Sequence, residues 1–347
     1  MEKLFYDLPR EAIAQEPAEP RSSSRLLVLY RKFSRIEHRK FSDLPELLNA
    51  GDLLVVNNAR VSPYRLSGKK IPTGGNVEIL LIEKKSEREW WALVKPGRRV
   101  HRGTLVELIP SAEKGKNIQS SGEIASLVQG EVIEKNSEGF FCIRFSKPLE
   151  GYFESIGHLP IPPYVKTPLR NEERYQTIFA SRDGAMAAPT ASLHFDPPLL
   201  EVLKNKGIFC VEITLLIGIS AILEAEGENL RPEWAEISRE TADAINRARN
   251  SGKRIVGVGT STVRVLESAS TPERTVFPFQ GWVNLFIRPG FSFRVVDALI
   301  TNFHLPRSTH LSLVAAFAGE ETILNAYAIA LKQGYRFLSL GDAMLIL

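Results

Sequence analysis

From Leu199 onward the apolar positions switch repeatedly between the spacing of a helix and the short runs of a strand. The stretch LLEVLKNK reads as a helix that stops at Gly207, a residue suited to closing a helix. IFCVEITLLIGI, residues 208–219, then reads as a buried strand. Ser238 can cap a helix through Asn250, with Ala242, Ile245 and Ala248 on one face and Gly252 past its end. Arg254–Val258 is strand-like, and TSTVRVLES opens a helix directly after Gly259. Phe293–Asn302 reads as another strand, Thr309–Ala318 as an apolar helix, and Glu321–Lys332 as a helix ending at Gly334. Strands and helices in alternation predict an α/β architecture with largely parallel pairing.

The stretch from Ser67 to Gly151 has a different rhythm. Short runs such as VEILLIE, EWWALVKPG, TLVELIP, SLVQGEVIE and FFCIRF are separated by Gly, Pro, Ser and charged residues. That spacing predicts a small antiparallel β module. It follows DLLVVNNARV, which reads as a buried strand of the first region. The expected organisation is therefore a discontinuous α/β domain, 1–66 with 152–347, interrupted by a β domain at 67–151.

Composition fits that picture without sharpening it. A length of 347 residues suits two domains or one interrupted domain, and 44% apolar with 24% charged residues is ordinary for a globular chain. Cys142 and Cys210 are far apart and outside any Cys-x-x-Cys pair, which argues against a disulfide scaffold and a thiol metal site. No metal is expected. The longest apolar stretch, Ile213–Leu223, falls short of the ~20 residues a bilayer span needs. The opening MEKLFYDLPREAIAQEP has early acids and no apolar signal core. A cytoplasmic monomer without membrane contact is the expectation.

Charge is more informative by region. Residues 1–170 hold 27 basic and 21 acidic side chains, and the remainder 17 and 19, for a net charge of +4. The densest cluster spans Arg21–Lys40 and includes Arg21 and Arg25; a second groups Lys95, Arg98, Arg99 and Arg102. Such clusters suit phosphate contacts, although a solvated basic face is the plainer reading of charge alone.

Cofactor fingerprints are weak. Gly257-Val-Gly259 sits between a strand and a helix, but Thr-Ser-Thr follows where a dinucleotide fold needs a third glycine. No P-loop and no His-Glu-x-x-His is present. A denser constellation lies in GHLPIPPYVK, ERYQTIFASRDGAMAAPTASLHF and VVDALITNFHLPRST. His194 follows a run of small residues that lets a ligand approach the backbone. Strand alternation would put Phe293, Val295, Asp297 and Leu299 on one face, where a carboxylate is costly unless bonded or in a site. His304 follows at the end of that strand, where α/β proteins place ligands. Taken singly, each has a plain structural explanation, and Arg264 with Glu267 could be no more than a surface ion pair.

Taken in order, the words resemble the S-adenosylmethionine:tRNA ribosyltransferase-isomerase family of queuosine biosynthesis. The matching segments run nearly end to end, including DLLVVNNARVSPYRLSG, AAPTASLHF, VGVGTSTVRVLES and FIRPGFSFRVVDALITNFHLPRST. The resemblance implies a barrel-like α/β domain with an inserted small antiparallel β-barrel. It implies transfer and isomerisation of the ribosyl part of S-adenosylmethionine onto 7-aminomethyl-7-deazaguanine at the tRNA wobble position. Epoxyqueuosine-tRNA forms, and adenine and methionine leave. S-adenosylmethionine is then a substrate, and no prosthetic group is implied. The sulfonium acidifies the adjacent ribose carbon, so a base is required, together with a pocket for the base of the tRNA. Carried over by position, the pocket comprises Arg60, Tyr175, Gln176, Pro189, Thr190, Phe195, Thr260, Arg264, Asn302 and Asp342. His194 or His304 would move protons, with Asp297 orienting one of them, and Arg21, Arg25, Lys95, Arg98 and Arg99 would meet tRNA phosphates.

Departures from the family pattern are concentrated. Leu216 stands where a histidine is usual, the Gly-Thr-Phe loop is absent, and Arg231-Pro232-Glu233-Trp234 keeps the glutamate and aromatic without the histidines. Asn58-Ala59 replaces the usual Asp-Thr, and Ser192 a glycine. Besides the family reaction, an enzyme with another acceptor and a non-catalytic tRNA-binding relative are compatible with these changes. Retention of His194, Asp297 and His304 favours an enzyme.

Overall fold

The computed structural model describes residues 4–110, 128–222 and 230–347. The chain forms two compact units, one of Met1–Arg60 with Ile161–Leu347 and one of Val61–Pro160. Among the described residues no helix is long and apolar enough to cross a membrane.

The larger unit is built on a nine-stranded mixed sheet. Its order is Phe279–Val283, Glu233–Ile237, Phe209–Leu215, Leu53–Asn57, Ile255–Val258, Ala298–Asn302, Ala343–Ile346, Arg25–Tyr30, Arg35–Lys40. The four strands from Phe209–Leu215 to Ala298–Asn302 are mutually parallel. Antiparallel strands flank them on both sides. Both faces are covered, which explains the unbroken apolar run DLLVV. Leu53 and Val55 pack on one face with Ala242, Ile245, Val263 and Leu311 of the helices, and Leu54 and Val56 on the other with Phe41, Phe195 and Leu199. The helix Arg239–Asn250 starts as expected, with Ser238 Oγ accepting from the Thr241 amide at 3.1 Å.

Six strands of the smaller unit, Arg65–Ile71, Asn76–Lys84, Glu89–Lys95, Phe141–Phe145, Gln129–Lys135 and Leu105–Ile109, are each paired antiparallel to the next, and the two-residue strand Gly157–His158 adds to Arg65–Ile71. Leu105–Ile109 pairs back onto Arg65–Ile71 and closes the barrel. Its interior is filled by residues such as Ile79, Leu81, Val94, Val132, Ile143 and Phe145. A Cβ on Gly68 would stand 2.5 Å from Val106 Cγ1, so only glycine allows this close passage. The α/β class and the inserted antiparallel barrel are thus as the sequence and its resemblance implied. Part of SLVQGEVIE lies outside the described residues.

Two element readings need correction. The strand expected over Phe293–Asn302 is only Ala298–Asn302. The amides of Arg294, Val295 and Val296 donate instead to the carboxylate of Glu267 at 2.8, 3.0 and 3.1 Å. A side chain on the helix Thr260–Ser268 therefore takes the place of a strand partner. Glu267 is then no surface partner of Arg264. IFCVEITLLIGI likewise ends as a strand at Leu215, and Ile219–Ala221 is a short helical turn. Removing the acceptor in Glu267→Ala strands three amides, and we expect a loss of about 2–4 kcal/mol in denaturant-unfolding free energy. A change within about 0.5 kcal/mol would show that the segment finds other partners.

Candidate active site

The carboxyl ends of the parallel strands meet polar loops at one rim. Gly259, at φ +89°, turns the chain from Ile255–Val258 into the helix Thr260–Ser268. Asn302 closes the neighbouring strand, and the small-residue run brings Ala187–Ala191 alongside. Together they line a cavity of about 330 Å³, within the range of small-molecule sites. Tyr175, Pro189, Thr190, Thr260, Arg264, Asn302 and His304 of the expected residues lie in its wall, and Glu233 and His310 join them.

One side of the wall is charged. Arg264 donates through Nη1 to Glu233 and through Nε to the carbonyl of Leu285 at 3.0 Å. Glu233 also accepts from the Gly218 amide at 2.8 Å. The pair is buried, at 10% and 7% side-chain exposure, so loss of either partner would leave an uncompensated charge.

Next to it are two imidazoles. The rings of His304 and His310 stack at 5.3 Å, and His304 Nε2 lies 2.7 Å from Thr301 Oγ1. The His304 backbone is pinned as well: its amide donates to the Tyr327 hydroxyl at 3.1 Å and its carbonyl accepts from Tyr6. Desolvation, with His310 second, lowers His304 well below the usual imidazole range. His310 is exposed, yet desolvation and then Arg264 lower it too. Both shifts favour the neutral imidazole.

His194 stands one layer behind the wall. Its Nδ1 is 2.8 Å from Ser24 Oγ, its Nε2 is 3.2 Å from Asn302 Nδ2, and its ring stacks on Phe41 at 5.1 Å. Burial, then Arg336 and Arg21, pushes its pKa down to about 3. It is a fixed neutral hydrogen-bonding group rather than a shuttle working near pH 7.

A model of the family described as "Queuosine biosynthesis protein" matches residues 1–346. The chain belongs to the queuosine biosynthesis protein family. Relatives include the S-adenosylmethionine:tRNA ribosyltransferase-isomerases of Thermus thermophilus, 46% identical, and Desulfitobacterium hafniense, 43% identical; each alignment covers 100% of this chain and 99% of the relative. The crystal structure of the Thermotoga maritima S-adenosylmethionine tRNA ribosyltransferase is 39% identical and aligns over 99% of this chain and 100% of its own, with a TM-score of 0.57.

Several residues expected from the family pattern stand elsewhere. Asp297 lies at the start of Ala298–Asn302, whereas the cavity lies at that strand's far end, roughly 16 Å of strand away. Its carboxylate accepts from the Ile255 amide at 2.9 Å, which accounts for the carboxylate structurally. Asp342 accepts from the amides of Arg25 and Arg336 at 3.0 and 2.8 Å. Phe195 packs on Phe41 and Phe179, Gln176 is buried outside the cavity wall, and Arg60 is tied to Glu173 at 3.2 Å on the surface. Of the basic residues, Arg21 donates to the carbonyls of Leu193 and Glu173, and Arg25 to that of Gln333 while lying over Tyr335. Lys95, Arg98 and Arg99 are exposed on the barrel unit.

The family departure at Leu216 falls outside the cavity. Leu215 and Ile217 line it, while Leu216 packs over Gly184. The altered run after it lies partly at 223–229, outside the described residues. Ser192, another departure, is fully buried. Asn58, a third, accepts from Thr214 Oγ1 at 2.7 Å. Glu233 and His310 were not among the expected site residues. Alternation in RPEWAEI could have placed Glu233 on the inner face with Ala235 and Ile237, which are buried. His310 follows the Ser308 cap of the helix Thr309–Ala318, within one turn of the helix start.

His194 should leave a mark on acid stability. Its folded pKa lies below the ~6.5 of an unfolded histidine, so keeping it neutral costs nothing above pH ~6.5. As pH falls from there toward 3 the unfolded chain takes up the proton and stability is lost, at up to about 1.4 kcal/mol per pH unit. Denaturant unfolding from pH 7 to 4 should therefore show a shallower decline in His194→Gln than in the parent. Parallel declines would contradict the burial of a neutral ring.

Proposed function

We propose that this protein is an S-adenosylmethionine:tRNA ribosyltransferase-isomerase, acting in the cavity at the rim of the parallel strands. It transfers and isomerises the ribosyl part of S-adenosylmethionine onto 7-aminomethyl-7-deazaguanine in tRNA. Epoxyqueuosine-tRNA is the product, with adenine and methionine released. The observation that carries the reading is the cavity wall itself, which sets neutral imidazoles beside a matched Arg264–Glu233 pair. The names of full-length relatives support the same activity.

The wall suits this substrate in three ways. Opposite charges side by side fit the methionine part, which carries a carboxylate and an ammonium on one carbon. Neutral rings do not repel the sulfonium. In the tautomer whose Nε2–H is given to Thr301, His304 Nδ1 keeps a lone pair that can take the proton from the sulfonium-activated ribose carbon. The acceptor tRNA would be held by phosphate contacts from Lys95, Arg98 and Arg99, which are exposed.

Incubation with S-adenosylmethionine and tRNA carrying the aminomethyl-deazaguanine should release adenine, measured by liquid chromatography. Release must depend on the modified tRNA; its absence while S-adenosylmethionine binds would point to another acceptor. His304→Ala should lower the release rate at least about 100-fold with S-adenosylmethionine binding retained. An undiminished rate would remove His304 from proton transfer.

A further inference from the structure

Four side chains form a line of hydrogen bonds from the core to the cavity wall. Ser24 Oγ lies 2.8 Å from His194 Nδ1, and His194 Nε2 lies 3.2 Å from Asn302 Nδ2. Asn302 Oδ1 accepts from Thr190 Oγ1 at 2.9 Å. Asn302 and Thr190 line the cavity, whereas Ser24 and His194 are buried behind it.

One carbonyl fixes the direction of every bond in this line. Leu338 O, 3.3 Å from Asn302 Nδ2, can only accept, so the amide nitrogen faces it and the amide oxygen faces Thr190. An amide nitrogen can only donate, so His194 Nε2 is the acceptor there and Nδ1 carries the proton, given to Ser24. Burial keeps the imidazole neutral, as that polarity requires, and the Phe41 stack holds the ring. Thr190 has one proton, and it is committed to Asn302. What its oxygen retains for the cavity is acceptor capacity alone.

We infer that Thr190 is a hydrogen-bond acceptor selecting a ribose hydroxyl of the donor substrate, and that His194 is a positioning residue holding Asn302 and Thr190 in that polarity. The inference rests on the reading of the cavity as the S-adenosylmethionine site. With Glu233 available as the charged partner for the ammonium, the uncharged acceptor suits an uncharged donor; the substrate offers its ribose hydroxyls and its adenine amino group, and the deoxy analogues separate the two. His194 does not touch the cavity, so its effect passes through Asn302.

The test is calorimetric binding of S-adenosylmethionine and its 2′-deoxy and 3′-deoxy analogues. The parent protein should bind one deoxy analogue about tenfold more weakly than S-adenosylmethionine. Thr190→Val should bring that ratio near one by weakening S-adenosylmethionine alone, while Thr190→Ser, which keeps the hydroxyl, should preserve it. His194→Met should shrink the ratio, and His194→Gln, whose amide can still accept from Asn302, should restore it. A merely structural role for His194 would weaken all three ligands equally. If S-adenosylmethionine binds but the ratio survives Thr190→Val, or neither analogue is disfavoured, the inference is overturned and the site reading stands. If the parent protein does not bind S-adenosylmethionine, the site reading falls and the inference with it.

Discussion

Parallel pairing of four strands is the constraint on which the site depends. Phe209–Leu215, Leu53–Asn57, Ile255–Val258 and Ala298–Asn302 run in one direction, so their carboxyl ends share a rim. The last carbonyls and amides of those strands need partners that the sheet no longer supplies. Asn57 meets this need by bonding both the carbonyl and the amide of Leu215, and Gly259 donates to the Ile300 carbonyl at 2.8 Å. The cavity wall grows out of this edge. The opposite ends of the strands are treated differently. There Asp297 caps the Ile255 amide and Asp52 receives Arg254, with Nε 3.1 Å from both carboxylate oxygens. The strands therefore carry structural carboxylates at one end and the candidate site at the other.

That division explains which residues could be read from the sequence. An apolar run with small-residue turns states that a strand is buried and where it ends, so DLLVV and the Ser238 cap were legible. Local pattern does not state which end of a strand faces the site. Asp297 looked like a site residue because alternation was extended back through Phe293, but a helix carboxylate, Glu267, had already captured the intervening amides. That capture is a tertiary event between groups 27–29 residues apart, and no strand period encodes it.

His194 shows the same limit from the other side. Its identity was visible, and so was its place after a small-residue run. Its role depends on Ser24 and Asn302, 170 and 108 residues away, and on a burial that removes its titration from the working range. Family resemblance brought the cavity residues together but carried Phe195, Gln176 and Asp342 along with them. Those three are buried outside the cavity wall, so a motif word can mix lining and non-lining residues with no mark to separate them.

Electrostatic balance in the cavity follows from the same burial. The proposed donor brings a sulfonium cation, and a protonated imidazole beside it would repel it strongly where water is scarce. Arg264 already contributes one positive charge to the wall. Desolvation lowers His304 and His310, with His310 acting second on His304 and Arg264 second on His310, and Glu233 pairs with Arg264, which leaves Arg307 as the remaining formal charge among the lining residues. Replacing the usual histidine by Leu216 leaves this balance intact, because the leucine packs over Gly184 and not into the cavity.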